Sequence, residues 1–289
     1  MDWVTGIQRA IDYVEAHITE KTDYRKIAQE AACSDFYFQR IFGILCGISL
    51  GEYIRNRRLS LAGSELSRTE STVIDVALKY GYESPESFAR AFVRFHGITP
   101  SEAKKDGSWL KSFSPFSVQI ILKGGHEMNY RIVEKEAFTV IEKREQHSII
   151  DEQNKNTIPE FWTKAHRDGT VDKLLRATPD QTYLFGICYG SNLTDAQTFD
   201  YSIGALWDGK AEVPEGFQIA EIPPRTWAVF ETQGAMPDAI QNLWHNICAE
   251  FFPTAAWQPT YEMDIEAYPA GDMSAADYHS EIWVPVVKK

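Results

Sequence analysis

Cysteine is scarce and scattered: Cys33, Cys46, Cys188 and Cys248 stand 13, 142 and 60 residues apart. That spacing holds no metal-type pair and no disulfide framework, and it fits a reducing, cytoplasmic setting. Long apolar runs are missing as well. The longest, such as Trp283–Val287, reach about five residues, against the roughly 20 that a membrane span needs. The start, Met1, Asp2 and Trp3, has neither a basic n-region nor an apolar h-region, so no secretory signal is expected. G-x-S-x-G, a phosphate loop, H-E-x-x-H and clustered zinc ligands are absent too. Nothing therefore calls for a cofactor, a metal or a catalytic nucleophile. Basic charge is also in deficit: 29 Lys+Arg against 41 Asp+Glu give a net −12, which argues against a protein that coats nucleic acid without specificity.

What is present is an ordinary globular balance, 44% hydrophobic and 24% charged over 289 residues, enough for about two domains. The charge is uneven along the chain. Residues 1–107 carry 14 Lys+Arg against 15 Asp+Glu, a net of −1, and residues 108–289 carry 15 against 26, a net of −11. Seven of the eight tryptophans follow residue 107. The expected division is 1–107, a Ser-, Gly- and Lys-rich linker over 108–127, and 128–289.

The first part contains a repeat. SDFYFQRIFGILCGISLGE from Ser34 returns fifty residues later as SPESFARAFVRFHGITPSE from Ser84. Each copy reads as helix, turn, helix. Ile27, Ala28 and Ala31 share one helical face, as do Val73, Ala77 and Tyr80. Ser34 and Ser84 stand at N-cap positions, Pro85 at the first helical position, and Gly47 and Gly97 at helix stops. Phe38, Ile41, Phe42 and Leu45 form an apolar stripe, matched by Phe88, Ala91, Phe92 and Phe95. That pattern leaves Phe36, Gln39 and Arg40 pointing outward in the first copy, and Glu86, Ser87, Arg90 and Arg94 exposed or flanking in the second. Arg and Gln are suited to base edges in a major groove. A connecting helix over Glu52–Leu66 spans roughly 22 Å and offers Arg55, Arg57 and Arg58 to phosphates.

This tandem motif resembles the DNA-binding domain of the AraC/XylS family of bacterial transcription regulators. The resemblance implies an all-α tandem helix-turn-helix domain that engages successive major grooves of promoter DNA, with RNA polymerase as a further partner. It assigns Phe36, Gln39 and Arg40 to the first recognition helix, and Glu86, Ser87 and Arg90 to the second.

After residue 128 the texture is β-rich. Strands are expected at Tyr130–Val133, Phe138–Lys143, Tyr183–Tyr189, Tyr201–Trp207, Phe217–Ile222, Thr226–Thr232, Thr260–Tyr268 and Tyr278–Val286. Two amphipathic helices, Ile158–His166 and Asp238–Phe251, interrupt them. A short strand is also expected at FSVQIIL, residues 116–122. This order points to an α+β fold of two similar halves with a cleft between them. Tyr189, Tyr201, Trp207, Trp227, Trp244, Trp283 and Glu281 are candidates to line it. Alternation puts Glu281 and Trp283 on one face, and an acid beside tryptophan suits an organic cation.

The segments MNYRIVEKEAFTVI, LWHNICAEFFP and YEMDIEAYPAGDMSAADYHSEIWVPVVKK resemble a GyrI-like domain, the small-molecule-binding fold of multidrug-responsive regulators. That resemblance implies duplicated βαββ halves, an aromatic or lipophilic, cationic effector, and Glu281 as its anchor. Two other readings stand beside the regulator: a hydrolase that uses Glu281 as general acid or base, and a module that only sequesters drugs.

Overall fold

The computed structural model describes residues 3–118, 127–149, 153–178, 183–190 and 198–289. They fall into two compact units whose membership is not the expected one. Residues 2–35 and 48–120 form one unit, and residues 36–47 join residues 121–289 in the other.

The helical unit is built from α1 (Trp3–Ala16), α2 (Tyr24–Glu30), α4 (Leu50–Arg68), α5 (Val73–Lys79), α6 (Pro85–His96) and α7 (Pro100–Ala103). Its local stops and starts are chemical. The Asp23, Ser49, Thr72, Ser84 and Thr99 side chains each accept a backbone N–H of the helix that follows. Gly97 ends α6 at φ 83°, a left-handed conformation that favours glycine. Phe88 and Phe92 are wholly buried against Leu59, Leu66 and Val76, each contributing roughly 2–3 kcal/mol of apolar burial. α5 and α6 are the second helix-turn-helix.

The segment after α7 is no free linker. Phe113 N–H donates to Ser60 Oγ at 3.0 Å, Val118 N–H to Gln8 Oε1 at 2.7 Å, and Lys111 N–H to His96 Nδ1 at 3.1 Å. Phe116 stacks on Tyr53 with centroids 4.9 Å apart. These bonds strap residues 111–118 along the helical unit. Residues 116–118 join no strand, and the rest of the strand expected at 116–122 lies outside the described residues.

The other unit contains α3 (Asp35–Cys46), β1 (Tyr130–Lys135), β2 (Phe138–Ser148), α8 (Asn154–Arg167), α9 (Thr170–Arg176), β3 (Tyr183–Tyr189), β4 (Thr198–Leu206), β5 (Gln218–Ile222), β6 (Arg225–Gln233), α10 (Asp238–Asn246), β7 (Trp257–Pro259), β8 (Met263–Pro269) and β9 (His279–Lys288). α10 continues through a π-helical turn over Ile247–Phe251. The antiparallel sheet runs β1-β6-β9-β8-β3-β4-β2-β5, with β7 pairing β9. Each expected strand and helix of this part is present. Three short elements were not expected: α9, β7 and a single helical turn over Phe252–Thr254.

Strand alternation sorts the sheet into two faces. Phe185, Ile187, Trp227, Val229, Ile265 and Trp283 point to one, where Val133 from one end and Phe138 from the other join the same cluster. The sheet therefore curls around this core. Tyr201, Ile203, Cys188 and Tyr268 point to the other face, against Phe161 and Ala165 of α8 and Leu174 of α9. α8 and α9 pack on β2, β3 and β4, and α10 packs on β6 and β9. The middle of the helix-bearing face, over β3 and β8, lies between them.

Candidate effector cleft and DNA-facing helices

Strand β8 reads MDIEAYP. Its apolar members Met263, Ile265 and Ala267 enter the curled core, so alternation turns Asp264, Glu266 and Tyr268 to the helix-bearing face. Glu266 pairs in register with Gly186, and Asp264 with Cys188. A Cβ on Gly186 would collide with the Tyr201 hydroxyl and stand 3.4 Å from Glu266 Oε2. Glycine there lets the phenol and the acid share one space. Trp244 Nε1 donates to Glu266 Oε1 at 2.8 Å, and the Tyr268 hydroxyl to Oε2 at 2.9 Å. Trp162 Nε1 donates to the Tyr201 hydroxyl at 2.9 Å and sets its ring edge-on to Tyr268, centroids 5.3 Å apart.

Burial pushes both the Glu266 and the Asp264 carboxyls above their ordinary values, although a neighbouring cation, Arg40, pulls each back. Burial also holds the Tyr201 and Tyr268 phenols neutral. Asp264 is 2% exposed, and its Oδ1 has no hydrogen-bond partner among the described residues. Two acids inside an aromatic wall form a site for positive charge.

Helix α3 occupies this cleft. The Arg40 guanidinium pairs with Asp264 and lies over the Trp244 ring, 4.5 Å from its centroid. Phe36 packs on Phe199 at 4.6 Å, Tyr37 on Tyr261 at 4.4 Å, and His245 Nδ1 lies 3.3 Å from the Ile44 carbonyl. The expectation that Phe36 and Arg40 point outward is corrected here. Phe36 is 1% exposed, because the face that the helical stripe leaves outside is covered by the sheet and α10. Gln39 on the same helix is half-buried.

The aromatic candidates divide between the two faces. Tyr201 and Trp244 line the cleft. Trp207 sits at the rim of the same cluster, its indole donating to the Ala211 carbonyl at 3.1 Å. Trp227 and Trp283 belong to the curled core on the opposite face. Tyr189 lies there too, its hydroxyl bonded to the buried Glu142 at 2.5 Å. That carboxylate is saturated by Arg144, Ser202 and Gln218 as well. Glu281 is not in the cleft. It pairs with Ala267, a core residue, so pleat parity directs it away from Glu266. Its carboxylate accepts Arg131 at 2.6 Å and the Trp283 indole at 2.7 Å. The cleft acids that sequence reasoning passed over, Asp264 and Glu266, carried a readable signal: two acids two residues apart in an otherwise apolar strand.

Of the residues assigned to DNA, Glu86, Arg90 and Arg94 are exposed on α6, and Ser87 is half-buried with its hydroxyl bonded to the Ser84 carbonyl at 2.8 Å. Arg55 is exposed on α4. Arg57 and Arg58 are structural and not offered to phosphates. Arg57 is 8% exposed and donates to both Glu15 oxygens, at 2.9 and 2.7 Å, and to the Phe113 carbonyl. Arg58 donates to the Ile18 and Glu20 carbonyls at 2.7 and 2.5 Å. Their partners come from α1, the segment after it and the segment after α7, beyond the reach of a pattern read within α4.

A helix-turn-helix joined to an α+β unit is the frame of a two-domain transcription regulator. Residues 27–106 match the family described as helix-turn-helix domain, and residues 131–286 the family described as integron-associated effector binding protein. The chain belongs to the AraC family of regulators, and its C-terminal part to that effector-binding family. It is 40% identical over 95 residues to the HTH-type transcriptional activator AarP of Providencia stuartii, covering 33% of this chain and 70% of AarP. It is likewise 40% identical over 96 residues to the regulatory protein SoxS of Salmonella typhimurium, covering 33% of this chain and 90% of SoxS. The structure of SAV2435 bound to tetraphenylphosphonium shares the fold, with TM-score 0.50 and 22% identity over 55% of this chain and 94% of that one.

Proposed function

We propose that this regulator senses an organic cation in the cleft floored by β8, with Glu266 as its principal charge anchor and Trp244, Tyr201, Tyr268 and Trp162 as its wall. The single observation that carries the reading is the paired acids of β8. Two carboxyls are held largely out of water beside aromatic rings, and Asp264 keeps an oxygen without a partner. Such an arrangement gains from a cation and not from an anion or a neutral molecule. Tetraphenylphosphonium in the cited structure is the same chemical class. Promoter DNA is read by the recognition helices, with Arg90 and Glu86 of α6 at base edges and Arg55 and Arg94 on phosphates; Gln39 and Arg40 of α3 join them only in a state where that helix has left the cleft. RNA polymerase recruitment follows DNA binding in this reading.

Selection of bound duplexes from random DNA, with and without a panel of lipophilic cations, tests it. A single enriched sequence whose affinity changes with a cation, but not with a neutral molecule of equal size, is expected. Lack of enrichment under every condition would sink the regulatory reading. Steady conversion of a bound molecule, read by mass spectrometry, would replace it with the hydrolase reading. Among the described residues no group of three ligating side chains is placed to hold a metal, and no helix is long and apolar enough to cross a membrane.

A further inference from the structure

Helix α3 fills the site proposed above for the effector. Arg40 sits in the cleft as a ligand would: a planar cation, paired with Asp264, stacked on Trp244, whose indole N–H is bonded to Glu266. Phe36 and Tyr37, one turn away on α3, fill aromatic contacts with Phe199 and Tyr261. Arg40 and Phe36 are among the side chains that face outward from the helix-turn-helix stripe. While they are buried here they cannot reach a base edge.

We propose that α3 is an intramolecular pseudo-ligand, and that Arg40 must leave the cleft before either an organic cation or DNA can engage its own partner. This rests on the cation-sensing reading above and adds how sensing reaches DNA. The docked state holds the recognition helix out of play. A cation takes the Asp264–Trp244–Glu266 site, and α3 is released. Because both events draw on the same undocked state, each ligand must tighten the binding of the other by an equal factor. An undocked fraction of about one-tenth would weaken either ligand about tenfold.

Two substitutions in the full chain separate the parts. Arg40→Gln removes the pseudo-ligand and leaves the cleft intact. Titrated with tetraphenylphosphonium and followed by tryptophan fluorescence, it should bind about tenfold more tightly than wild type. Asp264→Asn keeps the shape of the lock but removes its charge, and leaves every side chain of α3 in place. Its affinity for the selected duplex without ligand should rise by a similar factor, and tetraphenylphosphonium should raise it little further. Equal or weaker cation binding by Arg40→Gln overturns the proposal. So does unchanged duplex affinity in folded Asp264→Asn. If wild type and both variants select no duplex, the regulatory reading fails, while the Arg40→Gln titration still decides whether Arg40 occupies the cation site.

Discussion

Trp244 and Glu266 are joined by an indole N–H to carboxylate bond of 2.8 Å, which ties the helix wall of the cleft to its floor. The same indole presents its ring face to the Arg40 guanidinium. One side chain thus positions the acid and stacks on the cation that the acid attracts. This is a compact way to make charge and shape recognition depend on each other.

The first expectation separates the two glutamates. Glu266→Gln should weaken tetraphenylphosphonium by at least about tenfold, because a charge facing an aromatic-walled cation site is lost. Glu281→Gln should leave that affinity within about twofold, since its carboxylate serves Arg131 and Trp283 on the far face. Isothermal titration of both variants decides it. The reverse ranking would return the anchor to Glu281.

Cation affinity should depend on pH with a definite sign. Glu266 and Asp264 titrate above their ordinary carboxylate values because of burial, and only their ionised forms attract a cation. Lowering pH from 8 to 5 should therefore weaken tetraphenylphosphonium by about three- to tenfold. The phenols of Tyr201 and Tyr268 and the thiol of Cys188 stay neutral across this range, since burial pushes each well up. Fluorescence titrations across the range test this. A flat profile in Glu266→Gln would assign the dependence to that residue, and an unchanged slope would move it elsewhere.

Among the arginines, Arg57→Ala should cost about 3 kcal/mol of stability, because it leaves the Glu15 carboxylate without its cation, with the Tyr53 hydroxyl still bonded, and the Phe113 carbonyl without this donor. At temperatures where the variant is folded, the salt dependence of its DNA binding should be unchanged. Arg94→Ala should do the opposite, leaving the melting temperature alone while lowering the salt slope by about one. Arg90→Ala should cost about 1–3 kcal/mol of specific binding and relax only part of the selected sequence. Denaturation curves and salt titrations side by side would show whether the two groups behave as assigned.

His96 should make the helical unit acid-sensitive. Its Nδ1 accepts the Lys111 N–H, so its Nε2 carries the proton and donates to the Leu59 carbonyl at 2.9 Å. Burial lowers its pKa from the ordinary 6.5. A depressed histidine contributes stability that is complete above pH 6.5 and is lost as pH falls through the lowered value. Melting temperature should drop by about 4 °C between pH 7 and 5, and His96→Gln should be less stable at pH 7 with a shallower fall. Burial lowers His147 of the other unit in the same direction. Part of the slope should therefore survive in His96→Gln.

Much of the architecture was set by sequence-local physics. The repeat from Ser34 and Ser84, the caps, the glycine stops at Gly47 and Gly97, and the period-two strands depend on contacts within a few residues, so a linear pattern records them. Glu281 and Trp283 on one face of β9 also followed from alternation. Tertiary structure decided what each outward face meets. Periodicity divides a helix into inside and outside but does not say that a second surface covers the outside, as it does for Phe36 and Arg40. Alternation likewise shows that Glu281 and Ile282 part, but not which face carries the helices. Arg57 meets Glu15 across 42 positions and Arg40 meets Asp264 across 224. Charges that far apart are brought together only by the packing of whole elements, and that packing turned two expected DNA contacts into struts and placed a recognition arginine in the effector's seat.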